Sequence, residues 1–284
     1  MRIPLADAHS HVNPVRGLAP SRLAELFKGS GGWFVALVSL SPWDYGIEPT
    51  PPLEAYERAL EAHVRACEEV RGAGLRVSCI AGFHPQDVDE LASRGMRSDD
   101  IYELGLKVLG LEERLCREGK LDGIGEVGRQ HRRTSADRVL VAELIMEESA
   151  RLARDLGCVL HLHLEDVGPE TVVLTRAALA RVGVAPTPRI VFHHSRPNMV
   201  PAARDLGFAA TVYGLPSAVL EALKLGGATF MVESDFPGAD VARALTPWGL
   251  ANSMAELLKM GASEEELYKL NVDMVVRTYR MPAP

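Results

Sequence analysis

The 284-residue chain lacks the features that would place it in a membrane or outside the cell. No run approaches 18 consecutive apolar residues, so we expect no membrane span. The opening MRIPLADAHSH is too short and too polar for a signal peptide, which predicts a cytoplasmic protein. Cys67, Cys79, Cys116 and Cys158 form no C-x-x-C pair, so neither a zinc ribbon nor a redox motif is indicated and reduced thiols are expected.

Positive charge is also scarce in this sequence. The chain has 31 Lys and Arg against 38 Asp and Glu, a net charge of −7, whereas proteins that grip a phosphate backbone usually carry a basic surplus. Cations are therefore the expected ligands, and no obligate protein partner is indicated. Hydrophobic residues make up 47% and charged residues 24%, an ordinary globular balance that excludes intrinsic disorder.

Short apolar runs alternate with helical stretches along the chain. The runs are apolar on both faces, as buried parallel strands should be. Eight strand candidates cover 3–8, 33–39, 75–82, 121–127, 158–164, 189–194, 208–212 and 228–234. Eight strands alternating with helices over this length predict an α/β fold, a single (β/α)8 TIM barrel formed by one domain over residues 1–284.

Helical spacing of apolar residues predicts the elements between these strands. The predicted helices cover 53–70, 100–117, 134–157, 170–182, 199–206, 217–225, 248–260 and 263–279. The third should open with a capping box of Thr134 and Asp137 and stop at Gly157. His63 is expected on the surface of the first. The segments 42–52 and 85–99 are predicted to be irregular.

Most histidines stand where the predicted strands end. Because the carboxyl ends of barrel strands converge on one mouth, where catalytic groups sit, we expect these side chains to form the functional site. Seven of the nine histidines and two carboxylates follow this pattern, namely His9, His11, His84, Glu126, His161, His163, His193, His194 and Asp235.

The His-x-His spacing favours a metal site. Residues i and i+2 of an extended segment point the same way, about 6.6 Å apart, so both imidazoles can reach one ion. Four histidines together with Glu126 and Asp235 would make six protein ligands. Because one ion rarely takes six protein ligands and keeps a water site, this set predicts two ions that share a bridging carboxylate. Zn²⁺ is the first expectation, with Mn²⁺, Ni²⁺, Fe²⁺ and Mg²⁺ open. Spacing leaves His161 and His163 equivalent, but His163 is nearer the mouth and His161 is expected to be buried and hydrogen-bonded.

Six short motifs lie at the predicted strand ends, in a fixed order. They are D-A-H-S-H at 7–11, G-F-H-P at 82–85, G-E-V-G at 125–128, H-L-E-D at 163–166, F-H-H at 192–194 and E-S-D-F-P at 233–237. In this order the motifs resemble those of TatD-type metal-dependent hydrolases, in the archaeal TatD-like branch of the amidohydrolase superfamily. The resemblance spans nearly the whole chain.

The resemblance implies a role for each residue that matches a motif. One ion would be held by His9, His11, Glu126 and Asp235, and Glu126 would bridge to a second ion on His163 and His193. Asp235 would also serve as the general base, and His84 would lie beside the ions and touch the substrate. Glu233, on the same strand face as Asp235, is expected to hydrogen-bond to a ligand.

The positions around this centre depart from the family pattern. Arg129 and Gln130 stand where the family usually has Leu-Asp, Glu165 where it has Arg, and His194 where it often has Cys. The metal centre therefore resembles that of the family, whereas the substrate surface differs. The expected substrate contacts are His84, Arg129, Arg132 and His194.

A basic cluster follows the fourth strand, at Arg129, His131, Arg132 and Arg133. A loop that leaves the carboxyl end of a barrel strand starts at the mouth, so at least one guanidinium should reach an anionic substrate. The alternative is a set of surface ion pairs worth about 0–1 kcal/mol each.

Together these features predict a hydrolase that activates water with two metal ions. A phosphoester is the first expectation, on a small molecule or an oligonucleotide, including nucleic-acid ends. Hydrolysis of an amide, a lactone or a carboxylic ester is the alternative reaction. A barrel that binds RNA or protein without turnover is the alternative of another class, and the complete ligand set argues against it.

Overall fold

The computed structural model describes residues 3–48 and 50–284 of the chain; Met1, Arg2 and Pro49 of the predicted 42–52 loop lie outside the described residues. Eight strands form one sheet in the order β1 to β8, and each pairs in parallel with the next. The strands are β1 (Leu5–His11), β2 (Gly32–Val38), β3 (Arg76–Ala81), β4 (Gly123–Gly128), β5 (Val159–His163), β6 (Ile190–Phe192), β7 (Ala209–Tyr213) and β8 (Met231–Glu233).

The sheet curves round so that its last strand meets its first. The Asp235 N–H donates to the His9 carbonyl at 3.0 Å, and the His11 N–H donates to the Phe236 carbonyl at 2.8 Å. Together with the parallel order of the strands, these bonds confirm the predicted (β/α)8 barrel.

Helices cover the outside of the barrel. They are α1 (Pro20–Gly29), α2 (Pro52–Gly72), α3 (Pro85–Ser93), α4 (Ser98–Arg117), α5 (Ala136–Leu156), α6 (Pro169–Arg181), α7 (Val200–Leu206), α8 (Pro216–Gly226), α9 (Leu250–Lys259), α10 (Glu264–Tyr268) and α11 (Met274–Tyr279). A π-helical turn, Lys269–Asp273, joins the last two. Several of these helices carry proline in the first turn, where its missing N–H removes no helical hydrogen bond.

Two helices were not predicted, α1 and α3. Both are short, with 10 and 9 residues, so each offers fewer than three turns over which a helical period can be recognised in the sequence. The segment 85–99 is therefore not irregular as predicted, because α3 occupies most of it.

The predicted capping box of α5 is wrong, although the end of that helix is confirmed. Ser135 is the N-cap without a side-chain bond, the Thr134 hydroxyl donates to Asp89, and the Ser98 hydroxyl donates to Asp137 at 2.8 Å. Tertiary partners thus take the groups that would have capped the helix. Gly157 ends α5 in the left-handed conformation, with φ of 64°.

Two expectations for α2 are also corrected by the structure. His63 is fully buried rather than on the surface, because it lies on the side of α2 that faces the barrel. Cys67 on α2 and Cys79 on β3 form a disulfide, so these two thiols are not free; Cys116 and Cys158 are.

Candidate metal centre

Strand ends bring the predicted ligands together on one face of the barrel. β1, β4 and β5 each place ligands on the strand itself, whereas the ligands of β6 and β8 come one and two residues after the strand ends. Most of these side chains are buried, which keeps water from competing for them. The six residues are His9, His11, Glu126, His163, His193 and Asp235.

Glycines on both sides of Glu126 let β4 approach β5 closely. Gly125 has φ of 143° and Gly128 has φ of 146°, a conformation that residues with a side chain rarely adopt. A Cβ atom would lie 2.6 Å from the His161 carbonyl oxygen at Gly125 and 2.0 Å from that of His163 at Gly128. The G-E-V-G motif therefore sets Glu126 directly beside the β5 histidines.

The two carboxylate oxygens of Glu126 face different histidines. Glu126 Oε1 lies 2.8 Å from His9 Nε2 and 3.4 Å from His11 Nε2. Glu126 Oε2 lies 2.7 Å from His163 Nδ1 and 3.6 Å from His193 Nε2. Imidazoles thus approach both carboxylate oxygens: His9 and His11 approach Oε1, and His163 and His193 approach Oε2 together with His84, whose Nε2 lies at 3.2 Å.

The rings of His11 and His193 are held from behind through Nδ1. His11 Nδ1 lies 2.9 Å from the Val38 carbonyl, and His193 Nδ1 lies 3.2 Å from Glu233 Oε2. A proton on each Nδ1 leaves the Nε2 lone pair turned toward Glu126, which is the arrangement that metal-binding histidines use. Glu233 thus contacts one of the predicted ligands, and the binding of a metal ion by His193 stays a prediction.

His161 holds the ring of His9 in the same way, through the Nδ1 atom of His9. His161 Nδ1 lies 3.1 Å from His9 Nδ1, and its Nε2 lies 2.9 Å from the Tyr279 hydroxyl, which donates to the Ala8 carbonyl at 2.8 Å. His161 is fully buried, as predicted. The role of Tyr279 was not anticipated, because α11 is distant in sequence from every motif.

Asp235 completes the group on the β1 side. Its Oδ1 lies 3.8 Å from His11 Nε2, and its Oδ2 lies 3.4 Å from His194 Nδ1. Potential ligand atoms of His9, His11 and Asp235 lie within 4.8 Å of one another, as do those of His9, Glu126 and His193. One side of the carboxylate therefore faces the candidate ligands and the other faces the half-exposed His194.

The buried charges favour an ionised Glu126. Burial alone would raise the pKa of Glu126, but the charges of His193 and His9 and hydrogen bonds from His163 and His84 hold it well below its usual range. Burial lowers the pKa of His9, yet the charge and hydrogen bond of Glu126 raise it to about 9. With no ion bound, the proton on His9 balances this buried carboxylate, and a divalent ion would take the place of that proton.

His163 meets the requirement for a neutral ligand. Burial lowers the pKa of His163 to about 3, so the ring is neutral and keeps a lone pair. Within the part of the chain that the structure describes, its buried Nε2 makes no hydrogen bond. An orphaned buried nitrogen and a donor set of imidazoles and carboxylates suit a divalent transition ion.

A cavity of about 300 Å³ opens above these residues. Besides the candidate ligands, its wall comes from the segment after β2 and from the start of α3. This wall was not predicted, because its residues belong to no motif. These lining residues are Ser39, Leu40, Ser41, Trp43, Asp44, Gln86 and Glu90.

The predicted substrate residues differ in how closely they approach the cavity. His84 lines it, with Nε2 3.2 Å from Glu126 Oε2 and Nδ1 accepting the Gln86 N–H. His194 lies at the rim beside Asp235. His131 stacks on His163 with 4.0 Å between ring centroids, so this side of the mouth carries an aromatic rim.

Asp7 is a buried residue of the site that sequence reasoning missed. Its Oδ1 accepts the Ser234 N–H at 2.8 Å and its Oδ2 accepts the Ser234 hydroxyl at 2.5 Å. Burial raises the pKa of Asp7 to about 7, although the Ser234 bonds oppose that rise. Asp7 thereby fixes the segment that carries Asp235. Its place at the head of D-A-H-S-H was the available signal.

The structure does not bring Arg129 to the cavity, contrary to expectation. Its side chain is only 7% exposed and forms two bonds with Glu165, at 2.7 and 2.8 Å, and one with Thr175 at 2.8 Å. Arg129 and Glu165, both departures from the family pattern, thus pair with each other. Arg132 is exposed and lines a neighbouring cavity that shares Gln86 with the mouth.

Arg129→Ala should therefore affect mainly stability, whereas Arg132→Ala should affect mainly substrate binding. We expect Arg129→Ala to lower the free energy of unfolding by about 2–4 kcal/mol, because it leaves the half-buried Glu165 unpaired. Arg132→Ala should change stability by less than about 0.5 kcal/mol and raise KM for an anionic ester more than for a neutral one. Urea unfolding and ester kinetics at low salt measure both effects. Equal KM values for wild type and Arg132→Ala would show a merely solvated arginine.

Comparisons with known proteins agree with this fold. Among the described residues, no helix is long and apolar enough to cross a membrane. The profile of the family described as TatD related DNase matches residues 6–280. An uncharacterized protein of Methanocaldococcus jannaschii, MJ1127, is 25% identical over 287 residues, which cover 98% of this chain and 96% of that protein.

Solved structures share the fold. The TatD-like protein AF1765 of Archaeoglobus fulgidus matches with a TM-score of 0.64 and 18% identity, over 97% of this chain and 100% of that one. The organophosphorus hydrolase of Deinococcus radiodurans matches with a TM-score of 0.62 and 17% identity, over 98% and 93%. A mutant of the PTE-like lactonase of that organism matches with 0.63 and 16%, over 98% and 96%. With a family profile that spans nearly its whole length, the chain belongs to the TatD related DNase family of metal-dependent hydrolases.

Proposed function

We propose that the protein hydrolyses an ester with two divalent ions bridged by Glu126. The observation that carries the proposal is the division of the carboxylate, whose Oε1 faces His9 and His11 while its Oε2 faces His163 and His193. Imidazoles on both oxygens are what a carboxylate shared by two ions would require. Zinc is the first candidate, because imidazole and carboxylate ligands suit it.

The residues of the site would divide the work of the reaction. Such ions supply Lewis-acid chemistry when bound: they activate water and neutralise charge that develops on the scissile group. Asp235 takes the proton of the attacking water at a carboxylate oxygen, and His194, 3.4 Å from the other oxygen, lies on the way to solvent. His84, beside Glu126 and in the cavity wall, contacts the substrate.

A phosphoester is the substrate that the surroundings favour. Arg132 and Arg133 are exposed in the cavity next to the mouth, and guanidinium pairs well with phosphate. The description of the matched family as TatD related DNase also favours phosphoesters, on a small molecule or an oligonucleotide. A lactone is the alternative, since a PTE-like lactonase shares the fold.

A panel of esters tests the reaction class. Phosphomonoesters, phosphodiesters, single-stranded oligonucleotides, lactones and aryl amides are offered to the protein with Zn²⁺, Mn²⁺, Ni²⁺ or Mg²⁺. We expect the highest kcat/KM on a phosphoester and its loss after chelation. If only lactones are turned over, the substrate is a lactone and not a phosphoester. No turnover of any substrate, with no bound metal after gentle purification, would favour a barrel that only binds a partner.

The two histidines of β5 should behave differently when each is removed. We expect His163→Ala to lose one of two ions and most activity, because its ring faces Glu126 Oε2. His161→Ala should retain both ions and lose about 1–3 kcal/mol of stability, since it leaves buried partners unpaired. Elemental analysis and thermal unfolding of the two variants give the answer. Loss of an ion from His161→Ala alone would reverse the assignment.

A further inference from the structure

Three side chains that can bind metal meet between α2 and β3, away from the mouth. His63 and Cys67 lie one helical turn apart on α2, and Cys79 reaches them from β3. None of the three is exposed to solvent. Their potential ligand atoms all lie within 4.8 Å of one another. In the structure the two cysteines form a disulfide, with His63 Nε2 3.5 Å from Cys67 Sγ.

The distance between His63 and Cys67 matches that of two ligand atoms on a tetrahedral ion, whereas the two sulfur atoms must move apart once they are reduced. Zinc bonds of about 2.3 Å to sulfur and about 2.05 Å to nitrogen place those two ligand atoms about 3.5 Å apart. His63 Nε2 and Cys67 Sγ are separated by 3.5 Å. The Cα atoms of Cys67 and Cys79 are 5.9 Å apart, so rotation of the side chains alone can separate the sulfur atoms enough to bind one ion.

The charges also balance in this buried place. Two thiolates neutralise one divalent ion, which leaves no uncompensated charge among the apolar side chains of the core cluster that contains both cysteines. Burial lowers the pKa of His63 to about 3, so the ring is a neutral ligand. Among the described residues, His63 Nδ1 has no side-chain partner, and the ring is otherwise contacted by the backbone of Leu37 and Ile80.

We propose that reduced Cys67 and Cys79, together with His63, bind a thiophilic divalent ion such as zinc at a structural site separate from the mouth. A phosphine reduces the disulfide with one water molecule: phosphorus loses two electrons and takes the oxygen, and the two water protons become thiol protons. Binding of the ion then releases both thiol protons to solvent. The candidate ligands at the mouth include no sulfur, so thiolate ligation distinguishes the two sites.

Such an ion would replace the disulfide as the link between α2 and β3. β3 runs on from Cys79 toward His84, which lies at the candidate centre beside Glu126. The link therefore holds the strand that delivers His84 whether the cysteines are oxidised or reduced.

Cobalt reports thiolate ligation directly and is the probe we choose. The full chain is expressed in medium with Co²⁺ as the added transition metal, so that it folds around the ion, and is purified without oxygen in a phosphine. We expect a near-ultraviolet thiolate-to-cobalt charge-transfer band, which imidazole and carboxylate ligands cannot produce. The same preparation should lack the band after Cys67 and Cys79 have been oxidised back to the disulfide.

Matched variants identify the source of the band. We expect it to disappear in Cys67→Ser and Cys79→Ser and to remain in Cys116→Ser/Cys158→Ser, which removes the other two thiols. His63→Gln keeps both thiols and should lose most of the thiolate-bound cobalt. Circular dichroism checks that each variant is folded. A wild-type protein without the band, or a band that survives Cys67→Ser, overturns the proposal.

Discussion

Glu126→Gln is expected to lower kcat by about 10³-fold and to leave at most one ion tightly bound. The amide keeps the size of the side chain but removes the charge that lets two dications lie close together. Losing the metal-based charge stabilisation removes several kcal/mol of transition-state binding, and about 4 kcal/mol corresponds to 10³ in rate. Bound metal per chain and kcat on the best substrate are measured on the same preparation.

Glu90→Gln is the matched control for this change. Glu90 lines the same cavity, but its carboxylate pairs with Arg94 and belongs to no group of candidate ligands. We expect Glu90→Gln to keep both ions and nearly all activity. A fully active Glu126→Gln protein that retains two ions would refute the bridging role of Glu126.

Asp235→Asn is expected to lower kcat by about 10²–10⁴-fold, the usual contribution of a positioned general base. Burial would raise the pKa of Asp235, but the hydrogen bond with His194 and the charge of His193 lower it, so it is ionised and ready to accept a proton. An amide cannot take that proton. Asparagine tolerates the φ of 47° at this position, so the backbone should persist.

Asp44→Asn serves as the control for Asp235→Asn. Asp44 lines the same cavity but belongs to no group of candidate ligands. We expect it to change KM at most, with kcat and bound metal retained. The kcat values of both variants across pH provide the test. If Asp235→Asn kept wild-type kcat at every pH, the proton would have to be taken elsewhere.

The barrel and the meeting of the candidate ligands were predictable from short-range pattern. The His-x-His spacing on β1 places His9 and His11 on one side of the strand, and the strand ends converge as the barrel requires. Depth along β5 likewise separated the buried His161 from His163. These conclusions need only the period of a strand and the direction of parallel strands.

Features that depend on distant partners were not predictable in the same way. Arg129 follows Glu126 closely, yet its side chain turns to Glu165 on the next loop, which only the packing of β4 beside β5 reveals. The burial of His63 depends on which side of α2 faces the barrel. The wall formed by Trp43 and Asp44 comes from a segment without periodicity. The position of a strand or helix can be predicted from the sequence pattern, whereas the partner of a long side chain depends on the tertiary structure.

We expect two ions on opposite oxygens of Glu126, and anomalous scattering from crystals of the metal-loaded protein tests this arrangement. Data on both sides of the absorption edge of the bound metal locate each ion without reference to activity. We predict two anomalous peaks about 3.5–4 Å apart, one near His9 and His11 and the other near His163 and His193, with Glu126 between them. A single peak in the fully loaded protein, or peaks that Glu126 does not contact, would contradict it.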